Sequence, residues 1–122
     1  MKALSFFFML AAFGFAQTVR TNWTAPTSAT ARRNPYIDKP ELVSGGKRVF
    51  LKVCACCHAA GQNQKGPQLT DQTVQEETDG ALFWKISTGN SRSGMPGYGS
   101  LPEGQRWQLV MYIRSLTHRD TE

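Results

Sequence analysis

Five consecutive residues carry the most specific chemistry in the chain: Cys54-Ala55-Cys56-Cys57-His58. Cys54 and Cys57 have two residues between them, and His58 follows directly. Two thiols at that spacing on the first turn of a helix can each form a thioether with one of the two vinyl groups of a haem. The adjacent imidazole then lies under the iron and can ligate it from one face. Three other chemistries use the same residue types. A redox-active dithiol calls for a thioredoxin-like βαβ pattern, and none is visible. Half of a structural zinc site calls for a second Cys/His pair, yet the other histidine is the C-terminal His118. A disulfide would leave one of three cysteines over. Haem attachment is the favoured reading because a second axial ligand is available downstream.

That ligand is Met95. Residues 90–101 are rich in Gly and Ser, no helix should persist through them, and Ser93-Gly94-Met95-Pro96-Gly97-Tyr98 stands in the middle. A methionine in a glycine loop makes little sense as packing. It makes sense as a thioether ligand, with glycines that let the backbone approach a haem and a proline that stiffens the turn. Met111 is a rival, but it falls in a helical pattern and reads as core; His118 is another, in a tail. A ligating histidine needs its second ring nitrogen bonded, often to a backbone carbonyl. Gly66-Pro67-Gln68-Leu69, a turn followed by a leucine expected to be buried, offers the Pro67 carbonyl. The candidate cofactor site is therefore Cys54, Cys57, His58, Pro67, Leu69 and Met95, with His58 and Met95 on the iron.

Helices must position these residues. Asp38-Lys39-Pro40-Glu41 reads as a helix start, with Asp38 as N-cap, Pro40 in the first turn and Glu41 at the capping-box position. Leu42, Val49, Phe50 and Val53 then suit one amphipathic helix running to Cys57 and delivering the cysteines. Gly45-Gly46 inside it should cost ~1 kcal/mol each relative to alanine, which points to close approach by another backbone. Residues 61–70 read as loop and 71–77 as polar surface. A second helix is predicted over 79–88, capped by Thr78 and stopped by Gly89, with Leu82, Phe83 and Ile86 inward and Trp84 on another face. A third starts after Pro102 and runs to about Leu116, with Trp107, Val110, Met111 and Arg114 on one set of faces and Leu109, Tyr112, Ile113 and Leu116 on the adjacent one. The fold class is all-α: a small helical domain wrapped around, and completed by, a covalently bound haem c.

The 122 residues allow one domain plus appendages. Lys2 followed by the apolar stretch 3–15 and small residues at Gly14 and Ala16 reads as a secretory signal peptide cut after Ala16. The alternative, an uncleaved anchor, is disfavoured because the stretch falls short of the ~20 residues that span a bilayer. Export agrees with covalent haem attachment, which takes place outside the cytoplasm, so the expected location is the periplasm or the outer face of the cytoplasmic membrane. Residues 17–37 read as a flexible Thr-rich leader in which Arg32-Arg33 is solvated; whether Trp23 docks or stays exposed is open. The domain is expected over 38–117 and a tail over 118–122. The formal charge of +5 falls by one with the loss of Lys2. That excess, without an Arg/Lys cluster interleaved with aromatics, argues against nucleic acid; at most it favours an acidic protein surface or anionic membrane.

Taken together, these residues resemble a class I cytochrome c over nearly the whole folded part. Gly46-Lys47-Arg48-Val49-Phe50 with Cys54 to His58 is similar to the family's N-terminal helix and attachment motif, and Leu109-Val110-Met111-Tyr112-Ile113 to its C-terminal partner helix. Gly66-Pro67-Gln68-Leu69 resembles the proline loop and Gly94-Met95-Pro96 the distal ligand loop. The resemblance implies a close crossing at Gly46, Phe50, Leu109 and Tyr112, and a low-spin, six-coordinate iron between His58 and Met95. Cys56 departs from the pattern and is expected to be a free thiol, as does the threonine-rich leader. The implied function is one-electron transfer, Fe(III)/Fe(II), between donor and acceptor redox proteins, suited to the oxidising end of a respiratory chain and with no catalysis of its own. Two alternatives stand beside it: an electron-entry subunit of a larger, membrane-bound oxidase or dehydrogenase, and a haem enzyme or gas sensor in which Met95 does not ligate.

Overall fold

The computed structural model describes residues 23–59 and 65–118. The expected signal peptide at 1–16 lies outside the described residues. The chain order is α1 (Thr27–Thr30), a 3-10 turn (Pro40–Leu42), α2 (Val43–Val53), α3 (Ala55–His58), α4 (Gln72–Gln75), α5 (Asp79–Thr88), a 3-10 turn (Ser91–Ser93), α6 (Glu103–Ser115) and a last 3-10 turn (Leu116–His118). Among the described residues there is no strand, only an isolated bridge between Asn90 and Met95. The small all-α domain is of the kind expected for a cytochrome c fold.

Two helices set the frame. α2 crosses α6 at Gly46, where a Cβ would stand 1.9 Å from the Gln108 carbonyl oxygen and 2.9 Å from the Tyr112 Cβ. The propensity cost of that glycine is offset by an approach of backbones that no side chain allows. Phe50, one turn on, meets Tyr112 at 5.0 Å between ring centroids, tilted by 50°. α6 is buried over Trp107 and from Leu109 to Ile113, so both of its predicted face sets are covered. α5 closes the core with Leu82, Phe83 and Ile86, and Phe83 stacks on Trp107 at 4.0 Å. Its start and stop are those predicted: the Ala81 N–H donates to Thr78 Oγ1 at 3.1 Å, and Gly89 ends it with φ +65°.

Three local expectations are revised. Asp38 does not cap; Lys39 precedes a 3-10 turn, because Pro40 lacks an N–H and the chain enters α2 only at Val43. The helix to Cys57 is not continuous. α2 ends at Val53 and α3 restarts after Cys54, where the Cys57 N–H takes an i−3 bond to the Cys54 carbonyl at 3.1 Å. The polar stretch before α5 is not all surface: it contains α4, and the Gln75 amide donates to the Leu69 carbonyl at 2.7 Å and to the Ile113 carbonyl at 3.0 Å.

The second half of the leader is packed, not free. Ala25 and Ala29 are buried with Ala81, and a Cβ on Gly80 would come within 2.1 Å of the Ala29 carbonyl oxygen. Small residues facing a glycine let α1 lie directly on α5, a contact that carries no hydrophobic periodicity. Polar bonds fix it. Thr78 Oγ1 donates to the Thr30 carbonyl at 2.9 Å, and the buried Asn34 amide donates to Asp79 Oδ2 at 3.1 Å. Asp79 also receives Arg114 Nε at 2.8 Å. Arg32 and Arg33 are exposed, as expected, and Arg32 also pairs with Glu103 at 2.7 Å and lies 4.6 Å from the Phe83 ring centroid.

Candidate haem-binding site

A cavity of about 580 Å³ opens between α2/α3, α5 and α6. Its walls bring together all six residues singled out from the sequence: Cys54, Cys57 and His58 on one side, Pro67 and Leu69 below them, and Met95 from the loop after α5. Phe50, Leu82, Ile86, Leu109 and Ile113 supply an apolar lining. Met111 is buried in α6 and does not line the cavity, so it is core, as predicted.

The first wall is made by local chain geometry. The break at Cys54 and the short α3 carry Cys57 and His58 round to the cavity. His58 Nδ1 donates to the Pro67 carbonyl at 2.9 Å. With the proton held on Nδ1, Nε2 keeps its lone pair for a metal. Gly66 makes this possible, because a Cβ there would stand 2.6 Å from His58 Cε1 and 2.8 Å from Nδ1. The Gly66 N–H in turn donates to the Cys57 carbonyl at 2.9 Å, tying the loop to α3.

All three thiols are free. Burial, reinforced by the neighbouring Cys56 and Cys57, pushes the Cys54 thiol up to about 11. Cys57 is also raised, first by its hydrogen bond with Cys56, whose sulfur is 3.8 Å away. Both therefore stay protonated near neutrality. Cys56 itself is exposed.

The Met95 wall combines a local turn with long-range contacts. Asn90 and Met95 exchange backbone bonds at 2.9 and 3.0 Å around a tight loop that Gly94 turns at φ +82°. Beyond it, the Tyr98 N–H donates to the Ile86 carbonyl and the Tyr98 hydroxyl to the Val53 carbonyl, each at 2.9 Å. Trp23, whose place the sequence left open, lines the same cavity, and its Nε1 donates to the Gly89 carbonyl at 2.9 Å. Lys85 lies 4.9 Å from the Trp23 ring centroid and forms an ion pair with Glu77; both line the cavity. Val74, Glu77 and Lys85 were missed from sequence: Val74 lies in the four-residue α4, too short to show an amphipathic pattern, and Glu77 in a stretch read as polar surface.

Among the described residues no group of three or more His, Cys, Asp or Glu side chains forms a metal site of its own. The cluster instead suits a metal that arrives in a frame. Two protonated thiols, an imidazole with its Nδ1 proton engaged and a thioether face one apolar cavity, and these residues fit a haem.

The fold and this cavity define a domain of cytochrome c type. The family model for cytochrome c oxidase, cbb3-type, subunit III matches residues 41–113, and the chain belongs to that family. The chain is also similar to cytochrome c6 of Bumilleriopsis filiformis, with 26% identity over 83 residues, 63% of this chain and 94% of that protein. No solved structure matches the chain. These likenesses indicate a redox, electron-transfer role, and proteins of cytochrome c type are typically electron carriers without catalysis of their own. No helix among the described residues is long and apolar enough to cross a membrane.

Proposed function

We propose that the chain is a monohaem class I cytochrome c domain. Cys54 and Cys57 would hold one haem c covalently, and His58 and Met95 would ligate its iron. When bound, that group supplies a one-electron Fe(III)/Fe(II) couple. The observation that carries the reading is the convergence of both thiols, His58 and Met95 on one apolar cavity, with His58 Nδ1 bonded to Pro67. His58 would offer Nε2 as a lone-pair donor and Met95 its thioether sulfur, and the apolar lining would limit water around the group. With His58 and Met95 both on the iron, no position would be left for a substrate. Methionine ligation raises the potential and suits the oxidising end of a respiratory chain. Covalent attachment implies export to the periplasm or the outer face of the cytoplasmic membrane. The optical spectrum of the native oxidised protein tests this: a weak far-red iron–sulfur charge-transfer band should be present and vanish in Met95→Ala. Its absence from the native protein would overturn His/Met ligation and favour a haem with an open face.

A second reading concerns the setting. The family match to an oxidase subunit supports a chain that delivers electrons within a larger oxidase complex, whereas the likeness to cytochrome c6 supports a free carrier. Size-exclusion of the native, detergent-extracted protein separates the two: co-elution with a large complex supports the subunit, elution as a small monomer the carrier.

A further inference from the structure

The geometry points to Trp23 as a positioning residue that holds the Met95 loop closed. The inference rests on the His58/Met95 reading above. Three observations meet at this side chain. Its Nε1 donates at 2.9 Å to the carbonyl of Gly89, the residue at which α5 stops and the Met95 loop begins. Gly89 has φ +65°, and a Cβ on it would lie 2.5 Å from the Gly97 nitrogen and 2.7 Å from the Met95 carbonyl oxygen, so the two stems of the loop meet there. Trp23 also lines two cavities: the one shared with Cys54, His58 and Met95, and a second bounded by residues 88–97.

The indole is itself anchored from behind. Ala25 and Ala29 sit on Gly80 and Ala81, and Thr78 and Asp79 bond to Thr30 and Asn34, so the segment after Trp23 is fixed to the first turn of α5. Lys85, paired with Glu77, lies against the indole face from the cavity side. The segment 23–34 is thus a strap fastened at the start of α5 whose Trp23 side chain bonds the chain where α5 finishes. Opening the Met95 loop moves the Gly89 hinge and breaks the Trp23 bond, so the bond stabilises the closed, Met-ligated state.

An external ligand reads this equilibrium, because its apparent affinity scales with the fraction of loop that is open. Imidazole is titrated into the ferric holoprotein, wild type and variants, following the far-red band. Trp23→Phe keeps an aromatic ring at the site but removes the N–H together with the pyrrole part of the indole. The loss of one hydrogen bond predicts imidazole binding tighter by about fivefold, and Trp23→Ala by more. Val49→Ala, in α2 and away from the cavity lining, is the control: it lowers the unfolding midpoint and should leave imidazole affinity at the wild-type value. Unchanged affinity in Trp23→Phe overturns the inference. So does tightening in Val49→Ala matched to its loss of global stability, since Trp23 would then be merely structural. A wild-type protein with no far-red band fails one step earlier, by removing Met95 from the iron and the inference with it.

Discussion

The two walls of the cavity are built in opposite ways. The wall of Cys54, Cys57, His58 and Pro67 lies within fourteen consecutive positions, and its decisive contacts, His58 to Pro67 and Gly66 to Cys57, are short-range. The Met95 wall has its own local turn at Asn90–Met95, but that turn is held to the rest of the fold by the Tyr98–Val53 and Trp23–Gly89 hydrogen bonds, between residues 45 and 66 positions apart. A short-range wall survives loosening of the fold; a long-range one depends on elements packed elsewhere. Ligation by the imidazole should therefore be the robust half of the site and ligation by the thioether the labile half.

The largest effect should come from removing what both walls share. Gly46→Ala drives a Cβ into the Gln108 carbonyl, which cannot swing aside, and should cost about 3 kcal/mol or more in denaturant unfolding. Gly45→Ala should cost much less, because its Cβ meets the flexible end of the Gln108 side chain. Equal losses would show that the crossing is not set by backbone contact.

Gly66→Ala strikes the robust wall alone. Its Cβ, 2.6 Å from His58 Cε1, should displace the imidazole and break the Pro67 bond, at a cost of about 2 kcal/mol. In the holoprotein it should perturb the Soret region while leaving the Met95 loop intact. Tyr98→Phe strikes the labile wall: it removes the bond to Val53 and should cost about 1 kcal/mol by chemical denaturation. Its far-red band should bleach at lower denaturant than the loss of helical signal. If band and helix melt together in Tyr98→Phe, the two walls are equally robust and the comparison fails.

The smallest effect tests a contact outside the cavity. Hydrogen bonds from Arg32 first, then Trp107, hold the Glu103 carboxyl below its ordinary value of 4.5. A depressed folded value means a stabilisation present above the unfolded value and lost as pH falls through the folded one. Acid titration of the thermal midpoint below about pH 4.5 should therefore be slightly shallower in Glu103→Gln than in wild type. An identical slope would remove the ion pair from the account of how the strap is fastened.

The gathering of Cys54, Cys57 and His58, the loop at Pro67, the loop at Met95 and the limits of α5 and α6 were legible because each is written in neighbouring residues: a fixed spacing, a glycine stop, a Thr cap. The break at Cys54 was not, since nothing in Val53-Cys54-Ala55 lowers helix propensity enough to mark it. Trp23 and the leader were illegible for a different reason. Their contacts are single hydrogen bonds and small-residue packing on Gly80, which leave no periodic trace.

By itself, then, the sequence determined the chemistry available: two thiols, an imidazole and a thioether, with the glycines that let backbones close on them. Only the tertiary structure decided which residues meet across the cavity. It laid the leader on α5, turned Gln75 inward to two carbonyls and set Trp23 against the hinge of the Met95 loop. Spacing along the chain specifies what neighbours can do, but a contact across 66 positions exists only once α1, α5 and α6 have packed.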